Sequence, residues 1–288
     1  MPLTYGARKG EVKMAVDTTT WYSNAVQGIP QVGSDFNIYE QHTDPKYAIG
    51  TRITRQDGNE YVYCHFGATV NRGVLVSTDV DESSYVDSDN IILAPASCVN
   101  TSDGKIGSKF VEITLAAITA DMFAGGYLVI TDDAGEGYTY RIKSNTATDN
   151  PATGTFRIEL YDPLQVALTA ASDFAIQGCL YANLEIATAA TDTCVAGVTC
   201  STIGAANSCG WIQTKGVVGI LQWQDTLGGG TVSSLPAIGD MVALSHTTSG
   251  AVTRMDDDTG EMADEEIIGV CLIAGDSTGH GVYKINIT

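Results

Sequence analysis

The 288-residue sequence predicts an all-β protein: a β-sandwich or barrel-like main domain, an inserted small β module and an extended N-terminal arm. Three observations carry that prediction. The composition favours pleated surfaces and turns, with 31 glycines and only 17% charged residues against a usual ~25%; Thr, Ser, Asn and Gly supply the polarity instead. Apolar residues alternate over short runs that are separated by turn signals. No heptad and no long amphipathic helix interrupts the pattern. The densest stretch is Gly210–Trp223, a strand-like run punctuated by glycines that holds two of the three tryptophans and no obvious catalytic group.

Residues 1–46 read as the extended arm. Glycines and prolines space out Trp21, Tyr22, Phe36 and Tyr39, and no helical period persists. Aromatic residues on an extended segment lie against something, either the chain's own body or a neighbour. Asp44-Pro45 closes the arm. From Gly50 to Arg55 the residues alternate, Gln56-Asp57-Gly58-Asn59 turns, and Glu60–Phe66 returns, which is a hairpin. Val74–Val76 follows, and Asp79–Asn90 reads as an acidic linker.

Residues 99–177 read as the inserted module. Lys109–Leu115 alternates clearly. Ala120–Gly126 has the composition of a short helical turn entering a strand at Tyr127–Thr131, and Tyr138–Lys143 and Thr155–Leu160 are further strands. Short strands at this spacing point to a small barrel or sandwich. Residues 163–172 read as a brief helix or a turn. The main domain, 47–98 plus 178–288, resumes with Cys179–Ile186 and then small residues as far as Cys209. After Gly210–Trp223 come Gly228–Gly230 as a tip, strands near 238–244 and 250–254, an acidic loop over 256–266, and closing strands at Ile267–Ile273 and Val282–Ile287. Within Gly210–Trp223, Gly216 and Gly219 predict a break or bulge between the two tryptophans. Trp211 is expected in the interior or at a subunit contact.

The net charge is −19, which disfavours direct binding to nucleic acid. The exception is the first thirteen residues, where Arg8, Lys9 and Lys13 face a single acid, Glu11; a basic arm on an acidic body fits an acidic partner. No apolar run approaches a membrane span, and the first twenty residues hold no apolar signal core. Seven cysteines at these spacings match no zinc pattern, and a disulfide among Cys194, Cys200 and Cys209 stays open.

Candidate chemistry is sparse. The acids at 256–266, Asp256, Asp258 and Glu261 foremost, are oxygen ligands suited to Ca²⁺ or Mg²⁺, but their spacing fails the EF-hand pattern and a solvated loop is the plainer reading. The four histidines have no ligand spacing. His65 sits in a strand as a structural residue, and His246 and Ser245 point to opposite faces. No nucleophile elbow, P-loop or dinucleotide fingerprint is present. The sequence therefore leads to no catalytic residue and no cofactor.

Tyr47–Val76 (YAIGTRITRQDGNEYVYCHFGATVNRGVLV), Phe123–Asn145 (FAGGYLVITDDAGEGYTYRIKSN), Phe156–Leu164 (FRIELYDPL), Cys209–Gly216 (CGWIQTKG), Ile238–Val252 (IGDMVALSHTTSGAV) and Ile267–Ile273 (IIGVCLI) follow one another in an order that resembles virion structural proteins of tailed bacteriophages. Within that group the chain is similar to capsid decoration (cement) proteins. The resemblance spans nearly all of 47–288 and rests on glycine and aromatic packing motifs. It implies a β-rich homotrimer on the outer capsid surface, made in the host cytoplasm. Its partner would be the major capsid protein, and Arg8, Lys9, Lys13, Trp21, Tyr22, Phe36, Tyr39, Trp211 and Trp223 would be the contact candidates. A tail or receptor-binding protein that recognises host glycans is the alternative, and a glycan hydrolase a more distant one.

Overall fold

The computed structural model describes residues 37–78, 84–86, 93, 95–115, 117–149, 154–188, 194–224, 235–255, 267–276 and 279–287. These residues form sixteen strands in two sheets, with no helix among them. The all-β expectation is met.

The larger sheet begins at the expected hairpin. β1 (Arg52–Thr54) pairs antiparallel with β2 (Glu60–Phe66). Gly58 has φ +82° at the turn, a backbone state that glycine adopts without cost. β3 (Leu75–Thr78) follows in sequence but not in space. The chain leaves this sheet, builds the smaller one, and returns with β10 (Leu184–Ile186), which inserts between β2 and β3. β11 (Val195–Thr199) adds to β3, and β12 (Ser208–Leu221) adds to β11. β12 also pairs back onto β2, so that β2, β10, β3, β11 and β12 close into a five-stranded barrel. Closure removes the open edges that would otherwise need protection.

Alternation along β2 and β12 sorts side chains to the two sides of the barrel wall. Val62, Cys64, Phe66 and Ile212 join one apolar cluster with Val76, Leu184 and Ala196. Tyr61, Tyr63, Cys209 and Trp211 join another, together with Ile38 and Ile53.

β12 is fourteen residues long and serves two sets of strands. Its first half, from Ser208, pairs with β2; from Lys215 to Leu221 it pairs with β16 (His280–Asn286). Beyond β16 lie β15 (Gly269–Ile273), β13 (Met241–Leu244) and β14 (Val252–Arg254). Trp223 N donates to Val252 O at 2.9 Å, which brings β14 back to the end of β12. The bulge expected near Gly216 is present: the register shifts between Gln213 and Lys215, and Gly216 has φ +102°. The strand nevertheless continues through it. Val217 N donates to Asn59 Oδ1 at 3.1 Å, and a Cβ at Gly216 would collide with that same oxygen. The side chain of Asn59 thus occupies the space that only a glycine leaves.

The smaller sheet has the order β4 (Ser84–Val86), β9 (Asp173–Gln177), β6 (Tyr127–Asp132), β7 (Thr139–Asn145), β8 (Thr155–Leu160), β5 (Phe110–Thr114). Its inward residues form one core, including Val111, Ile113, Leu128, Ile130, Ile142, Phe156, Ile158, Phe174 and Ile176.

Three sequence expectations need correction here. Ser84–Val86, placed in an acidic linker ahead of the expected boundary at 99, is an edge strand on β9. β9 and β11 were not expected as strands. Ala120–Gly126 is a run of turns, because its amides bond across to β7: Phe123 N to Asn145 Oδ1 at 2.9 Å and Gly125 N to Ile142 O at 2.9 Å. Of the helix and the turn expected over 163–172, the structure has the turn. Leu164 N and Leu168 N donate to Ser108 O and Gly104 O at 2.7 and 2.8 Å, and both leucines plug the core.

Candidate interaction surface

The arm's last described residues are built into the barrel wall. His42 exchanges two backbone hydrogen bonds with Cys209, the second residue of β12, at 2.9 and 2.7 Å. Gln41 adds two side-chain bonds, donating to Ser208 Oγ (3.0 Å) and accepting from Gly204 N (2.9 Å). Ile38 is buried in the cluster that holds Trp211. Residues 37–42 are therefore anchored to the start of β12.

Beside this anchor, Tyr63 brings several groups together. Its hydroxyl accepts the Lys46 N–H at 3.1 Å and is hydrogen-bonded to His42 Nδ1 at 3.0 Å. His42 Nε2 lies 3.5 Å from Glu40 Oε2, which Lys46 Nζ also approaches to 3.6 Å. Carboxylate, imidazole and hydroxyl in line resemble a proton relay. The hydroxyl, however, lies in a fully buried residue, and burial pushes its pKa up. That makes it a poor proton donor and a good pin. The ring stacks tilted on Trp211 at 5.0 Å, and Tyr47 completes the trio at 5.4 Å from Trp211. The cluster closes the arm root over the barrel.

All seven cysteines are thiols. Burial raises Cys209 and Cys98 to about 11 and Cys200 to about 12, which keeps the thiolate, the reactive form, scarce at neutral pH.

The predicted contact residues separate into three groups. Arg8, Lys9, Lys13, Trp21, Tyr22 and Phe36, like the acids Asp256, Asp258 and Glu261, lie outside the described residues. Tyr39 is 65% exposed beside the anchor. Trp211 is 1% exposed: of its two expected environments, the interior is the one it occupies. Trp223 is half-buried past the end of β12. The two tryptophans do not form one surface.

A second surface was not singled out from the sequence. In the sheet that β12 shares with β16, β15 and β13, one cross-strand row reads Val217, Lys284, Val270, Met241. All four are exposed. Next to this row, the register of β15 shifts between Cys271 and Ile273, and the bulge turns both Leu272 and Ile273 outward. Met241 and Val217 are each 50% exposed and Ile273 58%. Ile238 and Ile267 are exposed just outside β13 and β15. The opposite face of these strands is conventional core, with Tyr283, Ile285, Cys271 and Val242. The signal in the sequence was Ile267–Ile273 itself, which is apolar at both parities where a half-solvated strand alternates.

Among the described residues, no helix is long and apolar enough to cross a membrane. Comparison with protein-family models, with curated proteins and with solved structures returns no match.

Proposed function

We propose that this chain is a structural binding protein of a tailed-bacteriophage virion, a capsid decoration (cement) protein that sits on the outer shell and ties neighbouring capsomers together. The observation that carries the reading is the anchored arm root. Backbone pairing between His42 and Cys209 fixes residues 37–42 to the barrel wall, and 36 residues precede Asn37 in the sequence. Fully extended, such a segment reaches about 120 Å at ~3.3 Å per residue, enough to cross a seam between subunits. Its Arg8, Lys9 and Lys13 cluster within the first thirteen residues against one acid, Glu11, and Trp21, Tyr22 and Phe36 supply aromatic anchors of the kind that dominate interfaces. The glycine and aromatic motifs that resemble those of virion proteins point the same way.

The test is binding of the purified chain to DNA-filled capsids that lack it. The full chain should co-sediment with them, and a variant starting at Asn37 should lose most of that binding. Full binding by the truncated variant would remove the arm from the mechanism. Binding to host cells and not to capsids would replace decoration with a tail or receptor-binding role.

A further inference from the structure

The geometry points to a saccharide-binding site on the outer face of the smaller sheet, where a sugar ring lies on Tyr127 and its carboxylate on Arg141. Three cations stand on β7 and β8: Arg141, Lys143 and Arg157. Lys143 pairs with Glu159 at 2.7 Å, and Arg157 with the buried Asp103. Arg141 pairs with no carboxylate among the described residues. Its guanidinium lies instead over the ring of Tyr161, 5.2 Å from the centroid. Stacking fixes the plane of the guanidinium and leaves its N–H edge to a ligand, and that edge matches a carboxylate through two parallel hydrogen bonds. Lys109 Nζ donates to Tyr161 O at 2.7 Å and adds a second positive charge beside the stack.

The register lines up what surrounds this arginine. Tyr127 on β6 is the cross-strand neighbour of Arg141 on one side and of Gln177 on the other. All three alternate with the core residues Leu128, Tyr140 and Ile176 and so belong to the outward set. Direct neighbours on one face hold their Cβ atoms about 5 Å apart, so one sugar ring can touch the Tyr127 ring and the Arg141 guanidinium together. The Tyr127 side chain is 44% exposed. Gln177 Nε2 has no hydrogen-bond acceptor, a deficit that a hydroxyl beside Tyr127 makes good once the amide turns outward. The next outward row reads Ala175, Val129, Thr139. These side chains are short, so the heads of Tyr127 and Arg141 stand above a step. Neither row holds a carboxylate, in a chain of net charge −19.

The chemistry of the row selects its ligand. A carboxylate is the planar anion that answers a guanidinium fork. The face of Tyr127 takes the C–H side of a sugar ring, and a glutamine amide serves hydroxyls as both donor and acceptor. An acidic peptide has less to hold. β6 and β7 are interior strands, paired on both sides, so no edge is open here for main-chain pairing. Nucleic acid carries a charge on every phosphate and meets the repulsion of the acidic body, whereas a single carboxylate engages the local cations alone.

The test uses the full chain and needs no capsid, so its outcome is independent of whether the chain decorates one. An array of immobilised saccharides carrying uronic or sialic acids, beside their neutral counterparts, identifies the binders, and titration calorimetry with the soluble form of the best array member measures them. The expected result is binding to carboxylated members and at least about tenfold weaker binding to the neutral ones. Arg141→Gln and Tyr127→Ala should each weaken the binding by about tenfold or more, and Tyr127→Phe, which keeps the ring, should retain most of it. Both positions are exposed, so the variants should melt with the wild type, which thermal unfolding checks. Binding to no carboxylated member overturns the inference, as does equal binding of acidic and neutral members, or binding that survives both substitutions. Hexaglutamate is the control for the other source of carboxylates. If it binds as tightly as the best saccharide, with the same dependence on Arg141 and Tyr127, the patch serves an acidic protein partner and the saccharide assignment fails.

Discussion

Trp211 sits against Tyr63 and Tyr47 in a packed aromatic trio and is 1% exposed. Trp211→Ala should therefore cost about 3–5 kcal/mol of stability, measured by denaturant unfolding, while Trp211→Phe should retain most of it. An unchanged midpoint for the alanine variant would mean that the trio contributes nothing to stability. Two other single-residue readings follow from burial. The pKa of His65 is held below its usual value by desolvation. Between that depressed value and the unfolded value of ~6.5, the unfolded chain binds the extra proton, so stability is fully present above pH ~6.5 and falls as the pH drops through the folded value. His65→Gln should reduce the loss of melting temperature on going from pH 7 to pH 5. For the thiols the sign is opposite in pH. Raised values at Cys64, Cys98, Cys200 and Cys209 keep them protonated at pH 8, so iodoacetamide should label these four slowly in the native protein and rapidly once it is unfolded.

β12 shows at the level of elements both what the sequence reveals and what it hides. Its apolar density and its glycines identified it, and Gly216 does mark a bulge. Gly216→Val should destabilise by about 2–3 kcal/mol, because a positive φ is strained for a β-branched residue and the new side chain would expel Asn59; an unaltered unfolding midpoint would mean that the bulge relaxes freely. Strands that alternate between clear turns, such as β6, β7 and β8, were legible because period 2 survives wherever one face is buried and the other is wetter. β11 was not. Val195–Thr199 is buried at every position and is made partly of Ala and Gly, so it offers neither alternation nor bulk. β9 carries only two inward apolar residues, Phe174 and Ile176, after a loop, and β4 is three residues long inside an acidic stretch. The anchor between His42 and Cys209 was out of reach for a different reason. It joins positions far apart in sequence through backbone groups, which no side-chain pattern encodes. The outer face around Val270 was half legible: its apolarity stood in Ile267–Ile273, but only the register of β13, β15, β16 and β12 aligns it with Met241, Lys284 and Val217.

At the scale of the whole molecule, the arm divides at a definite residue, and that division can be measured. Both sheets have their own cores, and among the described residues the first in either core is Ile38. Removing residues 1–36 leaves every core residue among the described residues in place. Such a variant should unfold within about 1 kcal/mol of the full chain, the size expected of changes away from packed sites. Removing residues 1–46 is a different operation. It takes away the buried Ile38, the paired backbone of His42 and the bonds of Gln41, and it uncovers Tyr63 and Trp211. Loss of an isoleucine-sized core group alone costs about 2–5 kcal/mol, or roughly 2–4 °C of melting temperature for each kcal/mol in a protein of this size class. The longer truncation should accordingly melt several degrees lower, and the difference should shrink in a Trp211→Ala background, where the cluster it disrupts is already broken. Equal stability of the two truncations would show that the anchor at β12 holds the arm without supporting the barrel. The comparison also decides how capsid binding must be tested: a loss of binding assigns a role to the arm only in the variant that begins at Asn37, because in the longer truncation an unsettled barrel wall would produce the same loss.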